Sequence, residues 1–142
     1  MLRRRKFNKS ERAFVAERAG FCCEYCKSQE KYSQDVFEIE HMLPLFLGGT
    51  NEDENLAFSC SGCNNSKNNK ISKIDIETGE EAFIYNPRLQ NWHSHFKWQN
   101  NYSIIEGITP TGRVTVELLK MNREGVVNLR NVLYLLGYHP TV

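Results

Sequence analysis

The sequence contains no apolar run that approaches the roughly 20 residues needed for a membrane-spanning helix. Its basic N-terminal stretch is not followed by an apolar segment, so we expect no secretory signal. The sequence also lacks internal repeats and low-complexity segments, so we do not expect a repeat protein. These absences predict a cytoplasmic protein with no membrane partner.

The composition indicates an ordinary folded domain. The chain has 142 residues, of which 40% are hydrophobic and 25% are charged. These fractions are typical of soluble globular proteins, so wholesale disorder is not expected. The length predicts one domain spanning residues 1–142.

Charge is spread unevenly although the net charge is only +1. Residues 1–18 carry seven Lys and Arg against two glutamates, whereas residues 24–54 carry eight acids against two lysines. A basic arm suits a polyanion such as nucleic acid. For a charge run alone, however, a solubilising, frayed terminus is the favoured explanation. The excess of acidic residues over 24–54 is expected if some of these carboxylates bind a cation.

Four of the five cysteines form two C-x2-C pairs, Cys23 with Cys26 and Cys60 with Cys63. In a reducing cytoplasm this spacing is typical of a tetrahedral zinc site rather than of disulfides. Four thiolates would close the coordination shell, so the predicted zinc is structural. The alternative is four ordinary core cysteines. Cys22 is interpreted as a small apolar filler.

Hydrophobic periodicity and turn residues predict an α+β chain. Helices are expected at 10–20 (with Ser10 as N-cap), from 61 onward, at 109–121 and at 122–137, and strands at 36–41, 56–59, 79–85 and 102–107. The strand, loop, strand and helix between residues 36 and 70 predict a small ββα unit.

Glu40 and His41 lie side by side where the first of these strands ends. Glu38 should share a face with Glu40, because side chains alternate along a strand. Charged groups among apolar residues are costly to bury unless they are paired or bound to something. One interpretation is a catalytic pair. The other is a salt bridge between Glu40 and a basic residue, with His41 as a satisfied polar group.

The stretch from the first cysteine pair to Lys67 resembles the HNH endonuclease family, whose core is the ββα-metal fold. The matching positions are Glu40-His41, Pro44, Gly48-Gly49, Asn55-Leu56, Cys60, Cys63-Asn64 and Lys67. The resemblance covers a core of about residues 20–70, and residues 71–142 are expected to be a C-terminal extension with added strands and helices.

The resemblance implies a metal-dependent endonuclease that hydrolyses DNA phosphodiester bonds. His41 would act as general base, since histidine titrates near pH 6.5, and Asn55 would brace the loop that carries it. Glu40 and Asn64 offer oxygen ligands to one Mg²⁺ or Mn²⁺, and Lys67 would contact phosphate. The alternative is an inactive zinc-stapled module that binds nucleic acid or another partner.

Candidates outside this stretch are weaker. His93 and His95 could bind metal, but a half-buried packing segment over residues 92–98 is favoured. Arg113 is equally well explained as a phosphate contact or as a surface residue. His139 is expected to be exposed to solvent.

Overall fold

The computed structural model describes residues 5–141, and their secondary structure is mixed. The helices are α1 (Lys9–Arg18), α2 (Ser61–Lys67), α3 (Trp92–His95), α4 (Pro110–Leu118) and α5 (Glu124–Leu135). The strands are β1 (Glu38–His41), β2 (Leu56–Ser59), β3 (Ser72–Ile74), β4 (Glu81–Phe83), β5 (Phe96–Gln99) and β6 (Ile104–Gly107). They pair in sequence order into antiparallel hairpins, β1–β2, β3–β4 and β5–β6. The predicted α+β class is confirmed.

Backbone contacts divide the chain into two compact units. The first unit contains the residues up to Ile71 together with Asn86–Leu89. The second unit contains Ser72–Tyr85 and the residues from Gln90 onward. The predicted single domain over 1–142 stays a prediction.

The first unit contains the predicted ββα arrangement. β1 and β2 pair in a register that sets Ile39 opposite Phe58 and Glu40 opposite Ala57. Side chains alternate along a strand, so Ile39 and Phe58 face one way and are both buried. Glu38 and Glu40 face the other way, toward α2. The helix that follows the second cysteine pair thus lies against the acidic face of β1, where Glu40 is buried and Glu38 stays exposed.

α1 begins earlier than predicted, because Asn8 rather than Ser10 is its N-cap. The Asn8 side chain accepts a hydrogen bond from the backbone N–H of Glu11 at 2.8 Å, and the Glu11 carboxylate accepts from the N–H of Asn8 at 3.0 Å. This reciprocal capping box satisfies two N–H groups that the helix itself leaves unpaired. The helix buries Val15 and Ala16 in the first unit.

The second unit is built on the β5–β6 hairpin and the two C-terminal helices, which were predicted at 109–121 and 122–137. Buried Arg130 joins these elements by donating to the carbonyl oxygens of Ser103 at 2.9 Å and Met121 at 2.7 Å. His139 was expected at the surface, and this is wrong. Its ring is 7% exposed and packs edge-on against Trp98 at a centroid distance of 4.8 Å.

The hairpin strands β3 and β5 and the short helix α3 were not predicted.

Among residues 5–141, the helices all fall short of the length and apolar character required to cross a membrane.

Candidate functional site

The four paired cysteines converge in the first unit. All four are buried, and their Sγ atoms lie within 4.8 Å of one another, with Cys26 and Cys60 at 3.6 Å. A tetrahedral zinc with Zn–S bonds of about 2.3 Å separates its sulfurs by about 3.8 Å, so the cluster fits that ion. Burial raises the pKa of the Cys23 thiol well above its usual range, whereas hydrogen bonds from Cys23, Cys60 and Cys63 lower the pKa of Cys26. In the described part of the chain, no other group of three His, Cys, Asp or Glu side chains gathers in this way.

Both cysteine pairs are held by the elements of the ββα unit. Cys60 is the N-cap of α2, and its Sγ accepts from the backbone N–H of Cys63 at 3.4 Å. Between the first two cysteines, the Glu24 carboxylate accepts from the N–H of Phe58 in β2 at 2.8 Å and forms an ion pair with Arg88. The first pair is therefore attached to the hairpin by a side chain as well as through the cluster.

His41 is half-buried at the end of β1, and its ring contacts the loop that follows. Its Nε2 lies 2.8 Å from Oδ1 of Asn51. Because an amide oxygen only accepts, this contact assigns the ring hydrogen to Nε2 and leaves the lone pair on Nδ1. The Phe7 ring lies 6.0 Å from the His41 ring, centroid to centroid. The arrangement offers Nδ1 as a proton acceptor in a fixed ring.

Asn55 bridges the two ends of the loop between β1 and β2. Its Oδ1 accepts from the N–H of Leu43 at 2.9 Å, and its Nδ2 donates to the carbonyls of Leu43 at 2.9 Å and Thr50 at 2.8 Å. A Cβ at Gly49 would overlap the Leu43 carbonyl oxygen and crowd Asn55 Nδ2. These contacts tie the two ends of the loop together, and the role of Asn55 in catalysis stays a prediction.

Glu40 lies in a buried ion pair with Lys67, and the two side chains are only 4% and 1% exposed. Glu40 Oε1 is 2.5 Å from Lys67 Nζ, and Oε2 accepts from the Tyr25 hydroxyl at 2.7 Å. Lys67 Nζ also donates to the His41 carbonyl oxygen at 3.3 Å. Burial raises the pKa of Glu40, and the charge of Lys67 works in the opposite direction.

This geometry matches the salt-bridge interpretation of Glu40. The expected phosphate contact of Lys67 stays a prediction, but the burial of its ammonium and its pairing with Glu40 do not favour it. The role of Glu40 as a cation ligand stays a prediction, but the contacts of its carboxylate do not favour it.

Asn64, the other predicted cation ligand, contacts Glu38 instead of Glu40. Its side-chain amide forms a short hydrogen bond with the exposed Glu38 carboxylate. Asn64 and Lys67 are one helical turn apart, so each faces a different glutamate of β1. The role of Asn64 as a cation ligand stays a prediction, and its observed partner is Glu38.

Glu38 also lines a cavity of about 320 Å³ in the first unit. The other lining residues are Arg5, Lys6, Phe7, Arg12, Phe37 and Ile39. Arg12 is engaged with Glu30 at 2.6 Å, and Arg5 with Glu11 at 2.6 Å. The described part of the basic arm thus forms one wall of this cavity, whereas Arg3 and Arg4 lie outside the described residues.

The weaker candidates belong to the second unit and take part in local contacts there. His95 Nδ1 lies 2.7 Å from the Thr109 hydroxyl. Arg113 donates to both carboxylate oxygens of Asp75 at 2.9 Å. His93 lies exposed in α3. These contacts agree with packing and surface roles rather than with a second site.

Sequence reasoning missed Asn51, Tyr25 and the position of Glu38 relative to Asn64. The alternation of β1 did place Glu38 beside Glu40 on one face. No local pattern indicated the partner of Asn51, because its contact with His41 depends on how the loop folds back.

The comparisons with known proteins agree with the geometry of the first unit. The family model described as HNH endonuclease matches residues 23–70. No curated protein and no solved structure gives a match. The matched segment begins at Cys23, ends just beyond α2 and contains all four clustered cysteines. The match supports a nuclease-type function in general terms, and the ββα arrangement and cysteine cluster of residues 23–70 are consistent with the ββα-metal fold of that family model.

Proposed function

We propose that this protein is a metal-dependent endonuclease that hydrolyses phosphodiester bonds of DNA. The observation that carries the proposal is the family match over the segment in which His41 stands at the end of β1, beside a loop pinned by Asn55. Hydrolysis needs a base for the attacking water, and an oriented histidine is suited to that task near neutral pH.

In this proposal, His41 takes the proton of the attacking water on Nδ1. Asn51 holds the opposite ring nitrogen, so the ring keeps one orientation while the proton moves. Asn55 fixes the backbone of the loop between Leu43 and Thr50, which keeps Asn51 within reach of the ring. The chain thus supplies a base, a residue that orients it and a loop held in one conformation.

The oxygen donors near α2 have the chemistry that a hard divalent cation requires. A carboxylate of β1 and the amide oxygen of Asn64 suit Mg²⁺ or Mn²⁺, which also retain several waters. When bound, such a cation stabilises negative charge on the phosphate and on the departing oxygen. The four thiolates form a separate and closed site, which suits a structural zinc.

The basic arm is the part of the first unit that we expect to contact the DNA backbone. Lys6 is exposed and lines the cavity next to Glu38. Lysine and arginine side chains contribute affinity by neutralising phosphates, without reading sequence.

Incubation of the purified protein with supercoiled plasmid, linear duplex and single-stranded DNA in Mg²⁺ or Mn²⁺ tests the proposal. Cleavage is expected to leave 5′-phosphate ends. The His41→Ala variant should bind DNA but not cut it, because a general base acts in the transition state. Binding without cleavage by the unmutated protein would favour the inactive module. Cleavage of RNA alone would contradict the choice of DNA.

A further inference from the structure

Helix α5 of the second unit leaves a row of apolar side chains open to solvent. Leu135 is 83% exposed, Leu136 is 60% exposed and Val132 is 53% exposed. Half-buried Leu129 lies one turn before Val132. Spacings of three and four residues set these four side chains along one side of the helix, and we call this row the α5 face. The outer side of a surface helix normally carries polar and charged residues, so the α5 face needs an explanation.

The opposite side of α5 attaches the helix to its own unit. Leu133 is buried there. Arg130 is 3% exposed and donates to the carbonyl oxygens of Ser103 and Met121. Its guanidinium also lies over the Trp98 ring, 5.3 Å from the ring centroid. These contacts hold the helix in one rotation, so the α5 face does not turn inward to join the core of the unit.

The side chains of the α5 face are uncharged. Residues 125–142 of the sequence contain a single Lys, Arg, Asp or Glu, which is Arg130, and its guanidinium is bound inside the unit. Nucleic acid is held mainly by Lys and Arg contacts to phosphate, which the α5 face does not offer. A charged protein surface would lose its hydration on this face without gaining a partner of opposite charge. The partner that fits is therefore another uncharged apolar surface.

A second copy of this chain offers such a surface, and the order of the side chains suits it. Val132 has Leu129 three residues before it and Leu135 three residues after it, so the row reads nearly the same in both directions. If two such helices cross antiparallel at Val132, each Leu129 meets Leu135 or Leu136 of the second copy. Both copies then contribute the same surface, as a two-fold interface requires.

The exposed area sets how strong this pair can be. Full burial of a leucine-sized side chain removes roughly 100–150 Å² of apolar surface from water. Because three of its members are more than half exposed, the α5 face offers about 200–300 Å² per copy. Homodimer interfaces are about 65% apolar, so the pair would bury about 600–900 Å² in all. Stable interfaces bury at least about 1,200 Å², which places this pair among the weak ones.

We propose that the α5 face is a self-association surface, on which two copies of this chain pair antiparallel about a two-fold axis at Val132. The pair is weak, with a Kd of about 10⁻⁵–10⁻⁴ M, so it forms and dissociates with protein concentration. The proposal concerns the second unit and does not depend on the proposed nuclease function.

Sedimentation velocity of the full, zinc-loaded chain over a concentration series tests the proposal. The weight-average mass should rise from that of one chain toward that of two between about 10 and 500 µM. Val132→Lys brings two like charges together at the axis, so it should weaken association by at least about tenfold, and Val132→Glu should do the same. Both variants should keep the melting temperature of the unmutated chain, because the Val132 side chain is exposed.

An equal mixture of these two variants gives a stricter test. The lysine of one copy then faces the glutamate of the other, so mixed pairs should form at concentrations at which each variant alone is monomeric. Poor folding of a variant does not produce such a rescue. Val36→Lys is the matched control, because Val36 is a valine of the first unit that is 73% exposed. This variant should associate like the unmutated chain.

An unmutated chain that stays monomeric at about 500 µM overturns the proposal, also if its α5 face binds a different protein. Association that persists unchanged in both Val132 variants places the interface elsewhere and overturns it as well. Mixed variants that do not pair contradict the antiparallel crossing at Val132. DNA cleavage is measured separately, so a protein that associates through α5 but cuts no DNA contradicts the proposed function and leaves this proposal standing.

Discussion

Asn51 holds the ring of His41, with its Oδ1 2.8 Å from Nε2. We expect Asn51→Ala to lower kcat by about ten- to a hundredfold, the usual cost of losing a residue that orients a functional histidine. KM and the melting temperature should change little, because the residue lies in a surface loop. Asn51→Asp keeps an acceptor oxygen and should retain more activity than Asn51→Ala. Equal kcat values for Asn51→Ala and the unmutated protein would contradict the orienting role.

The close approach of Gly49 to the loop backbone makes this glycine hard to replace. A methyl group in Gly49→Ala would collide with the Leu43 carbonyl and disturb the bridge made by Asn55. We therefore expect Gly49→Ala to cause a large loss of cleavage rate and a smaller loss of thermal stability. Gly125→Ala is the matched control, because its added methyl group meets no neighbour and alanine favours a helix by roughly 0.5–1 kcal/mol. Measurements of plasmid nicking and of thermal unfolding for both variants test this prediction.

The zinc site and the catalytic cation should be separable. Mild EDTA should abolish cleavage but leave about one zinc per chain, since four buried thiolates hold zinc far more firmly than exposed oxygen donors hold Mg²⁺. Mg²⁺ or Mn²⁺ should then restore activity. Cys60→Ser should give poorly folded protein, whereas Cys22→Ala, outside the cluster, should keep its zinc. Elemental analysis that finds no zinc in folded, active protein would refute the four-thiolate site.

The basic arm should contribute to DNA affinity through phosphate contacts. We expect Lys6→Ala to weaken binding to duplexes of any sequence and to reduce the slope of log affinity against log salt by about 1. Lys97→Ala is the control, because Lys97 lies on β5 of the second unit. Fluorescence anisotropy across a salt series measures both slopes. An unchanged slope in Lys6→Ala would favour the solubilising interpretation of the arm.

The pairing of Asp75 with Arg113 should make the second unit sensitive to acid. The hydrogen bonds from Arg113 lower the pKa of Asp75 from 3.8 to about 2. The folded state thus binds this proton less readily than the unfolded state does. The ion pair therefore makes its full contribution to the free energy of unfolding above pH 3.8, and this contribution is lost as the pH falls through about 2. Asp75→Asn should flatten the pH dependence of the free energy of unfolding over this window. Urea unfolding followed by tryptophan fluorescence reports on this unit, which holds both tryptophans, Trp92 and Trp98.

Local patterns explain why much of the first unit was predictable. The C-x2-C spacing and the alternation along 36–41 act within a few residues, and both features appear in the structure. The N-cap of α1 was misplaced although Asn8 and Glu11 form a capping-box pattern, because Ser10 is also a favoured cap residue.

The misplaced side chains depend on contacts between distant segments. Helical spacing put Lys67 on the side of Asn64, but it did not reveal that Glu40 would lie opposite. The burial of His139 likewise follows from packing against Trp98, which is far away in sequence. Sequence periodicity fixes which residues share a face, whereas the partner of that face is set by tertiary packing.

The ion pair between Glu24 and Arg88 has a consequence for how this chain can be shortened. Arg88 belongs to the first unit, but it is encoded after the whole of Ser72–Tyr85. A fragment that stops at Ile71 would retain the cysteines and α2, yet it would leave the buried Glu24 carboxylate without its arginine. A shortened chain that keeps this ion pair must therefore extend at least to Arg88, and it then contains Ser72–Tyr85 as an insertion within the first unit.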